Sequence, residues 1–465
     1  MSKMNPKQFL RLCRAGKTFY NSSRYYTNRN ILKLHERGML DNLFPEQSAD
    51  KIIKLLNSNS PQCVYAGFDP TADSLHVGNL LILMNLLHWQ RSGHDVLALI
   101  GGATGLIGDP SGRKTEREQI EEVLVKENVE SIRRNIETIF ANHEQYFWKN
   151  PHYKLKPITI VNNSDWYTGV NVIDFVKRVG KHFRLGTMLG RTSVQSRLKQ
   201  ESGMSFTEFT YQIFQAYDWL HLLNKYNCRF QIGGSDQMGN IVAGHDLISR
   251  VRNENVYGIT SPLITSEGGK KFGKSVGNAV WLSSERSSSF QLYQFFFRTT
   301  DADVGNFLNL FTFLTIPQIE EIMLAHRKDP EKREAQKILA EAVTTLVHGE
   351  EGLKSAKHTS AILYESTVDT LSKMEANDLV SAFEGATLVE IINEPGLTVS
   401  ELALKVKCFK KENDAMRIIP AGGFHINHQK ITNVNEMIVP GIHILPNNLS
   451  LIRVGKKTYH IVKWL

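Results

Sequence analysis

The chain has 465 residues, of which 41% are apolar and 22% charged, a composition that is ordinary for folded proteins and predicts about three domains at this length. No apolar run approaches the roughly 20 residues of a membrane-spanning helix, so we expect a soluble protein. The net charge of +8 is uneven: residues 1–30 hold seven Lys and Arg and no acid, residues 401–465 carry +6, and the segment between carries −5. A uniformly basic nucleic-acid-binding chain is therefore excluded, because only the two ends are basic.

The first end has the composition of a mitochondrial targeting presequence. Residues 1–30 lack acids, and apolar residues of the segment 9–14 alternate with arginines, as in an amphipathic import helix. Arg24 begins an Arg-x-Tyr pattern typical of matrix-protease sites, which predicts a mature start near Thr27. The alternative is a disordered basic arm that touches RNA. The four cysteines form no C-x-x-C pair, which argues against a zinc site and fits a reducing compartment such as the cytosol or the mitochondrial matrix.

Strand and helix patterns alternate over residues 31–285. The order is VYAGF, LLILMNLLHWQ, VLALIGG, a charged helix from about Glu116 to Phe147, PITIVN and CRFQIGG. This alternation predicts an α/β fold with a Rossmann-like, doubly wound parallel sheet, whose ligands bind at the carboxyl ends of the strands. Residues 286–385 lose the strand pattern and predict an α-helical domain. Residues 386–465 predict a small basic α+β domain.

The first candidate site is the strand-turn-helix junction YAGFDPTADSLHVGN at residues 65–79. A helix that starts near Gly78 presents backbone N–H groups to an anion, Gly78 permits close approach, and His76 can donate to a phosphate oxygen. The junction therefore predicts an ATP site. The alternative is a capped helix with a partly exposed histidine.

The second candidate is the glycine-rich segment IGGATGLIGDPSGRKTER at residues 100–117. Its GDPSGRKT resembles a P-loop, but the spacing is one residue too short, so we predict a nucleotide site of another kind. Asp109 offers a fixed carboxylate, and Arg113, Lys114 and Arg117 follow it. The alternative is a glycine turn used only for packing.

The third candidate is the helix TEFTYQIFQAYDWLHL at residues 207–222. Tyr211, Gln215 and Asp218 fall at i, i+4 and i+7, so their polar tips share one helix face. Phenol, amide and carboxylate beside aromatic residues suit an amphiphilic ligand such as an aromatic amino acid. The alternative is a solvated helix face.

Two further segments place charged residues at the end of a strand or in a glycine-rich loop. FQIGGSDQMGNI at 230–241 places Asp236 where an acid can bind ribose hydroxyls. GGKKFGKS at 268–275 carries Lys271, Lys274 and Ser275 on a glycine-rich loop, where lysines can neutralise charge that develops on phosphate oxygens. The alternative for the second segment is an exposed basic loop.

The order of these five motifs resembles that of the bacterial-type tyrosyl-tRNA synthetases of the mitochondrial kind, class I enzymes, from about residue 31 to the end. The resemblance implies activation of L-tyrosine with ATP and Mg²⁺ to tyrosyl-adenylate and pyrophosphate, then transfer of tyrosine to the 3′-terminal adenosine of tRNA(Tyr). It also implies a homodimer in the mitochondrial matrix, with no structural metal and no membrane association.

The resemblance also implies roles for individual residues. The tyrosine substrate would be bound at its phenol by Tyr65 and Asp218, at its ammonium by Asp109, Tyr211 and Gln215, and near its carboxylate by Gln237. ATP would be bound by Asp69, Thr71, His76, Gly78 and Asn79, and at its ribose by Gly234 and Asp236. The leaving pyrophosphate would be surrounded by Arg113, Arg117, Lys271, Lys274 and Ser275.

One position departs from the family pattern, since Asn79 stands where a histidine is usual. An asparagine NH₂ reaches about as far as the nearer imidazole nitrogen and donates to the same oxygen, so we expect activity to be retained. A pocket that hydrogen-bonds a phenol rejects phenylalanine without an editing domain. No inserted domain of that kind is predicted.

The basic C-terminal segment resembles the αL-type RNA-binding domain of bacterial tyrosyl enzymes, and the helical domain would meet the anticodon side of the tRNA. Three alternatives stay open. The chain could be a tryptophanyl enzyme, an RNA-binding or splicing factor that kept the fold and lost catalysis, or a generic nucleotide-binding scaffold.

Overall fold

The computed structural model describes residues 31–465 apart from 59, 114, 118, 202, 265–273, 276–277, 366–370, 373–386, 410 and 456–457. The predicted presequence 1–30 and Lys271 lie outside the described residues. Lys274 and Ser275 are described by their backbone only.

A six-stranded sheet forms the centre of the first part of the chain. Its strands are β1 (Leu43–Phe44), β2 (Cys63–Phe68), β3 (Asp95–Ile100), β4 (Thr159–Asn162), β5 (Cys228–Gly234) and β6 (Tyr257–Ser261). The order is β1-β6-β5-β2-β3-β4, with β1 antiparallel to β6 and all other neighbours parallel. The chain reverses its direction of travel across the sheet between β2 and β5, which is the place where such sheets bind ligands. The predicted fold class is confirmed.

Helices surround this sheet and continue after it. They are α1 (Ala49–Leu56), α2 (Val77–Arg91), α3 (Thr104–Ile107), α4 (Glu122–Asn142), α5 (Ser164–Tyr167), α6 (Val172–Arg178), α7 (Leu185–Leu189), α8 (Thr192–Leu198), α9 (Phe206–Tyr226), α10 (Met238–Arg252), α11 (Ser289–Phe297), α12 (Val304–Phe311), α13 (Ile316–Lys328) and α14 (Glu334–Glu365). Helix α14 is interrupted at Gly349, whose φ of 72° is not helical. A short ribbon of β7 (Lys274–Ser275) and β8 (Asn278–Ala279) precedes α11.

The predicted helix from about Glu116 to Phe147 is wrong at its start, and its predicted end coincides with the end of a π-helical turn. Helix α4 begins at Glu122, and a π-helical turn, His143–Phe147, follows it. The preceding residues form a loop instead, in which the Arg117 Nε–H donates to the carbonyl oxygen of Asp109 at 3.4 Å. This contact turns the loop back toward the glycine-rich segment.

The core lies on both faces of β2 and β5, which is why these strands are nearly continuous apolar runs. Trp89 of α2 packs on Phe230 of β5 with ring centroids 5.0 Å apart. On the other face Trp219 of α9 packs edge-on against Tyr65 of β2 at 6.0 Å. Helix α9 is therefore fixed against the two central strands.

The chain separates into two compact units. One contains the central sheet and the residues up to 350 except 289–291, and the other contains 289–291 and 351–465. The second unit has a sheet ordered β11-β10-β12-β13-β9, from β9 (Thr387–Ile391), β10 (Phe424–Ile426), β11 (Gln429–Ile431), β12 (Leu449–Val454) and β13 (Thr458–Trp464). Helices α15 (Val399–Lys405) and α16 (Glu412–Ile418) contribute buried residues to its core. The domain boundaries at 285 and 385 stay predictions. Within the described ranges, no helix is long and apolar enough to cross a membrane.

Candidate active site

A cleft of about 840 Å³ opens at the carboxyl ends of β2, β3 and β5. Fifteen of the predicted site residues line it: Tyr65, Asp69, Thr71, His76, Gly78, Asn79, Asp109, Arg113, Arg117, Tyr211, Gln215, Asp218, Gly234, Asp236 and Gln237. The motifs that the sequence spreads over residues 65–237 are therefore brought together in space.

The deepest wall of the cleft carries a carboxylate and a phenol. Asp218 and Tyr65 are 1% and 0% exposed. Asp218 accepts three hydrogen bonds: from Asn163 Nδ2 to Oδ2 at 3.0 Å, and from Trp166 Nε1 and Tyr167 Oη to Oδ1, both at 2.9 Å. A carboxylate offers about four acceptor positions, so one remains. The Tyr65 hydroxyl has no hydrogen-bond partner among the described residues.

A second carboxylate, Asp69, lies next to this wall. It accepts from Tyr211 Oη at 2.8 Å and from Thr104 Oγ1 at 2.7 Å, and Thr104 Oγ1 in turn accepts from Asn163 Nδ2 at 3.0 Å. Asp69 and Asp218 are thus linked through Thr104 and Asn163. Only glycine fits at 101, because a Cβ there would lie 2.1 Å from Asp69 Oδ1.

These two carboxylates share an unusual electrostatic setting. Burial raises the pKa of Asp69 to about 6, and the charge of Asp109 adds to the effect. Burial raises the pKa of Asp218 to about 7, although the bonds from Asn163, Trp166 and Tyr167 act in the opposite direction. Burial also raises the pKa values of Tyr65 and Tyr211 well above the ordinary value, so both phenols stay neutral.

A third carboxylate, Asp109, is held by its neighbours. It accepts from Gln237 Nε2 at 2.7 Å, from Asn240 Nδ2 at 3.4 Å and from the Ser111 backbone N–H at 2.9 Å. Three carboxylates around one cleft suit a ligand that carries an ammonium group.

Two arginines, Arg113 and Arg117, also line the cleft, and Arg117 contacts the backbone of Asp109. Burial, followed by the neighbouring charge of Arg117, lowers the pKa of Arg113. Two guanidinium groups close enough to repel each other favour an anion between them, such as a polyphosphate.

The helix start at α2 differs in detail from the prediction. His76 is its N-cap: His76 Nδ1 accepts from the Gly78 N–H at 3.0 Å, and Asn79 Oδ1 accepts from the His76 N–H at 3.1 Å. The Gly78 N–H, predicted to face a phosphate, is therefore occupied by the imidazole ring. The reciprocal bonds leave the Asn79 Nδ2 amide as a donor. Glycine is required at 78 because a Cβ would lie 2.7 Å from the His76 ring.

Four residues of the site were missed by the sequence analysis: Thr104, Asn163, Trp166 and Tyr167. Three of them lie in NSDWY, which directly follows the predicted strand PITIVN. The carboxyl end of that strand was the signal available for finding them. Among the described residues there is no group of three or more His, Cys, Asp or Glu that could hold a metal ion.

Comparisons with known proteins agree with this geometry. The family model described as tRNA synthetases class I (W and Y) matches residues 57–365, a range that includes every residue of the cleft. The chain is 54% identical over 447 residues to the mitochondrial tyrosine–tRNA ligase of Drosophila melanogaster, covering 96% of each protein. It is 47% identical over 433 residues to the human protein of the same name, covering 92% of this chain and 90% of the human one.

A solved structure is also similar. It is a C-terminally truncated mitochondrial tyrosyl-tRNA synthetase from Aspergillus nidulans, with a TM-score of 0.65 and 33% identity. The match covers 77% of this chain and 98% of that one.

Proposed function

Because this chain belongs to the class I tRNA synthetase family of the tryptophan and tyrosine enzymes, within which it is a tyrosine–tRNA ligase, we propose that the cleft beside β2 and β5 performs amino-acid activation. The tyrosine carboxylate attacks the α-phosphorus of ATP, which arrives with Mg²⁺ as part of the substrate, and pyrophosphate leaves. The 3′-terminal adenosine of tRNA(Tyr) then displaces AMP from tyrosyl-adenylate. No protein side chain acts as a nucleophile.

The observation that carries this assignment is the wall formed by Tyr65 and Asp218. A buried hydroxyl without a partner costs about 1–3 kcal/mol, and the substrate phenol relieves that cost by accepting from Tyr65. The phenol donates in turn to the open acceptor position of Asp218. Phenylalanine leaves both groups unpaired, so it is rejected. An indole N–H would satisfy Asp218 but offers no oxygen to accept from Tyr65.

The ammonium and carboxylate ends of tyrosine are assigned to the polar groups nearer the cleft opening. Asp109 and Gln215 hold the ammonium together with Tyr211, and Gln237 lies near the carboxylate. Asp69, first predicted as an ATP ligand, also positions Tyr211 through their 2.8 Å hydrogen bond.

The ATP side is assigned to the motifs that begin α2 and end β5. The triphosphate is held by Thr71, His76, Gly78 and Asn79, and the ribose by Gly234 and Asp236. Charge that develops on the pyrophosphate is stabilised by Arg113 and Arg117, together with Lys271, Lys274 and Ser275 of the GGKKFGKS segment. Catalysis then comes from positioning and charge stabilisation.

A homodimer is supported by exposed apolar side chains in the segment 172–206, which we name the apolar segment. Phe206 is 81% exposed, Ile173 70%, Val172 and Leu185 68% each, and Val176 60%. Exposed apolar side chains at this density mark protein interaction surfaces. A second copy of the chain covers them.

The second unit is assigned to RNA binding. Strand register aligns Lys430, His425, Arg453 and Tyr459 as one row across four strands. Cations and an aromatic ring in one row suit a phosphate backbone and a stacked base. Residues 286–385, predicted to form an α-helical domain, are assigned to the anticodon side, and residues 1–30 to import into the mitochondrial matrix.

Tyrosine-dependent exchange of pyrophosphate into ATP tests the activation step. We expect exchange with tyrosine and not with phenylalanine or tryptophan, and a loss of roughly 10²-fold in kcat/KM for tyrosine in Asp218→Asn, since bonds to a charged acceptor contribute about 1.5–3 kcal/mol. A folded protein that binds tRNA without exchange would instead support the RNA-binding or splicing role, which the comparisons do not favour.

A further inference from the structure

The hydroxyl of Tyr167, which the proposed function leaves without a role, lies between two acceptors. Its oxygen is 2.9 Å from Asp218 Oδ1 and 3.0 Å from the carbonyl oxygen of Phe214. A phenol has one proton, so it donates to only one of them at a time. Both contacts can be hydrogen bonds at the same time only when Asp218 is protonated and donates its proton to Tyr167 Oη.

Two arrangements follow. When Asp218 is ionised, Tyr167 donates to Oδ1. When Asp218 is protonated, its Oδ1–H donates to Tyr167 Oη, and the Tyr167 hydroxyl turns to donate to Phe214. The substrate phenol then meets a neutral acid in place of a carboxylate, and a neutral acceptor forms a hydrogen bond about half as strong as a charged one.

From this geometry we propose that Tyr167 is a positioning residue that keeps Asp218 ionised and so sets the lowest pH at which tyrosine is recognised. This inference rests on the proposed function, in which Asp218 binds the substrate phenol.

The other two donors to Asp218 are held in place. Asn163 Oδ1 accepts from the Ala103 N–H at 2.7 Å, which fixes the amide, and the Trp166 ring stacks on His221 at 4.4 Å. Only the Tyr167 hydroxyl rotates between partners. Its bond lowers the pKa of Asp218, which burial raises to about 7.

Four other titratable groups face Asp218 or its partners. Tyr65 and Tyr211 stay neutral because burial raises their pKa values well above the ordinary one. Burial lowers the pKa of His221, so it is neutral near pH 7. Asp69 has a pKa of about 6 and does not touch Tyr167. Removal of the Tyr167 hydroxyl should therefore act on the titration of Asp218, which it contacts, and not directly on that of Asp69.

The test compares Tyr167→Phe with Tyr217→Phe. The first substitution keeps a ring against Phe175 and Phe214 and removes only the hydroxyl. The second removes a hydroxyl from the same aromatic cluster, at a residue whose ring lies 5.7 Å from that of Tyr167. The measurement is kcat/KM for tyrosine in pyrophosphate exchange between pH 5.5 and 9.

We expect the acid limb of the Tyr167→Phe profile to move upward by roughly one pH unit, with little change above pH 8.5. The KM for ATP should not change, and Tyr217→Phe should keep the parent profile. A Tyr167→Phe profile with the parent's acid limb, or one lowered equally at all pH values, would overturn the inference, because either result describes lost packing and not a lost proton donor.

Calorimetric titration with tyrosine in two buffers of different ionisation enthalpy gives a second readout. At pH 7 the parent should release about half a proton on binding, and Tyr167→Phe should release more. If the parent shows no tyrosine-dependent exchange, the proposed function fails, and if Asp218→Asn has the parent's kcat/KM for tyrosine, the proposed role of Asp218 fails. If the parent and Asp218→Asn behave as expected in exchange, but the parent and Tyr167→Phe release the same number of protons on binding tyrosine, only the role of Tyr167 fails.

Discussion

Asn79 caps a helix and is also proposed to bind ATP. Its Oδ1 accepts from the His76 N–H, and its Nδ2 is the donor assigned to ATP in the proposed function. Asn79→Ala should therefore lower stability by about 1 kcal/mol and lower kcat/KM for ATP by roughly tenfold. Urea unfolding and pyrophosphate exchange measure the two effects separately.

Asn79→His is the matched variant, since it keeps a donor near the same place. Its exchange rate should stay within a few fold of the parent. A rise by orders of magnitude would mean that the asparagine is a defect in the parent enzyme.

Asp69 makes the stability of the empty enzyme depend on pH. Its folded pKa of about 6 exceeds the ordinary value of 3.8, so the folded state holds a proton that the unfolded state has lost between these pH values. The associated stability is present below about pH 4 and is lost as the pH rises through 6. Asp69→Asn removes the titrating group, so the variant's free energy of unfolding should not show this decrease as the pH rises.

The measurement is urea unfolding of Asp69→Asn and the parent at pH 4.5 and pH 8. Relative to the parent, the variant should be more stable at pH 8 than at pH 4.5 by about 1–2 kcal/mol. An equal difference at both pH values would mean that Asp69 titrates normally in the fold.

Residue identity was predictable where the motif itself carried the chemistry. The spacing and motif context of Asp218 and Tyr65 predicted that they lie together, and both line the cleft, while their roles stay predictions. The direction of a hydroxyl proton leaves no trace in a sequence, which is why Tyr167 was missed. The ring nitrogen of His76 was likewise expected to face a phosphate, and it accepts from Gly78 instead.

At the scale of elements, helix α9 is anchored by a buried ion pair. Arg197 of α8 donates from Nε and Nη2 to the two carboxylate oxygens of Glu208 at 2.8 and 2.9 Å, and their side chains are 0% and 3% exposed. Glu208 lies one turn before Tyr211. The pair therefore fixes the start of the helix that carries Tyr211, Gln215 and Asp218, the residues proposed to bind tyrosine.

Arg197→Met should cost about 3–5 kcal/mol in the free energy of unfolding, because it leaves the Glu208 charge buried and unpaired. The control is Lys126→Met, which breaks the exposed pair with Glu122 and should leave the free energy of unfolding nearly unchanged. Equal losses in the two variants, measured by urea unfolding, would contradict a structural role for the buried pair.

The elements themselves were predictable to different degrees. Strands β2, β3 and β5 were found because each is a short apolar run that ends at turn residues, Asp-Pro after β2 and glycines at the ends of β3 and β5. The start of α4 was misplaced by six residues, since residues 116–121 have helical composition but are held as a loop by the contact between Arg117 and Asp109. A tertiary contact overrode local propensity there.

At the scale of the whole molecule, the apolar segment predicts self-association. Phe206→Asp places a charge at the most exposed of its side chains and should convert a dimer into monomers in sedimentation analysis. Leu324→Asp, at another exposed apolar residue outside the segment, should leave the dimer intact. Dimers of Phe206→Asp as tight as those of the parent would place the interface elsewhere.

The cleft lies in the first unit and the basic row lies in the second, so we predict that variants of the row impair the transfer of tyrosine to tRNA and not its activation. Lys430→Glu combined with Arg453→Glu should raise the KM for tRNA by roughly tenfold and reduce its salt dependence, while pyrophosphate exchange stays unchanged. The control is Lys405→Glu, because Lys405 is a cation of α15 that pairs with Glu394. A double variant that charges tRNA normally would remove the row on the second sheet from the RNA-binding surface.

The pairing of β2 with β5 also governs when the enzyme first becomes competent during synthesis. Hydrogen bonds within the cleft join residues 142 positions apart, Asp69 and Tyr211, and 128 positions apart, Asp109 and Gln237. Contacts of such long sequence separation form late in folding. A nascent chain that ends before Gln237 lacks the donor to Asp109 that follows β5, so its cleft is incomplete. We therefore expect the chain to consume ATP only after the strands that form the cleft have been synthesised and paired, and we expect incomplete chains to have no activation activity.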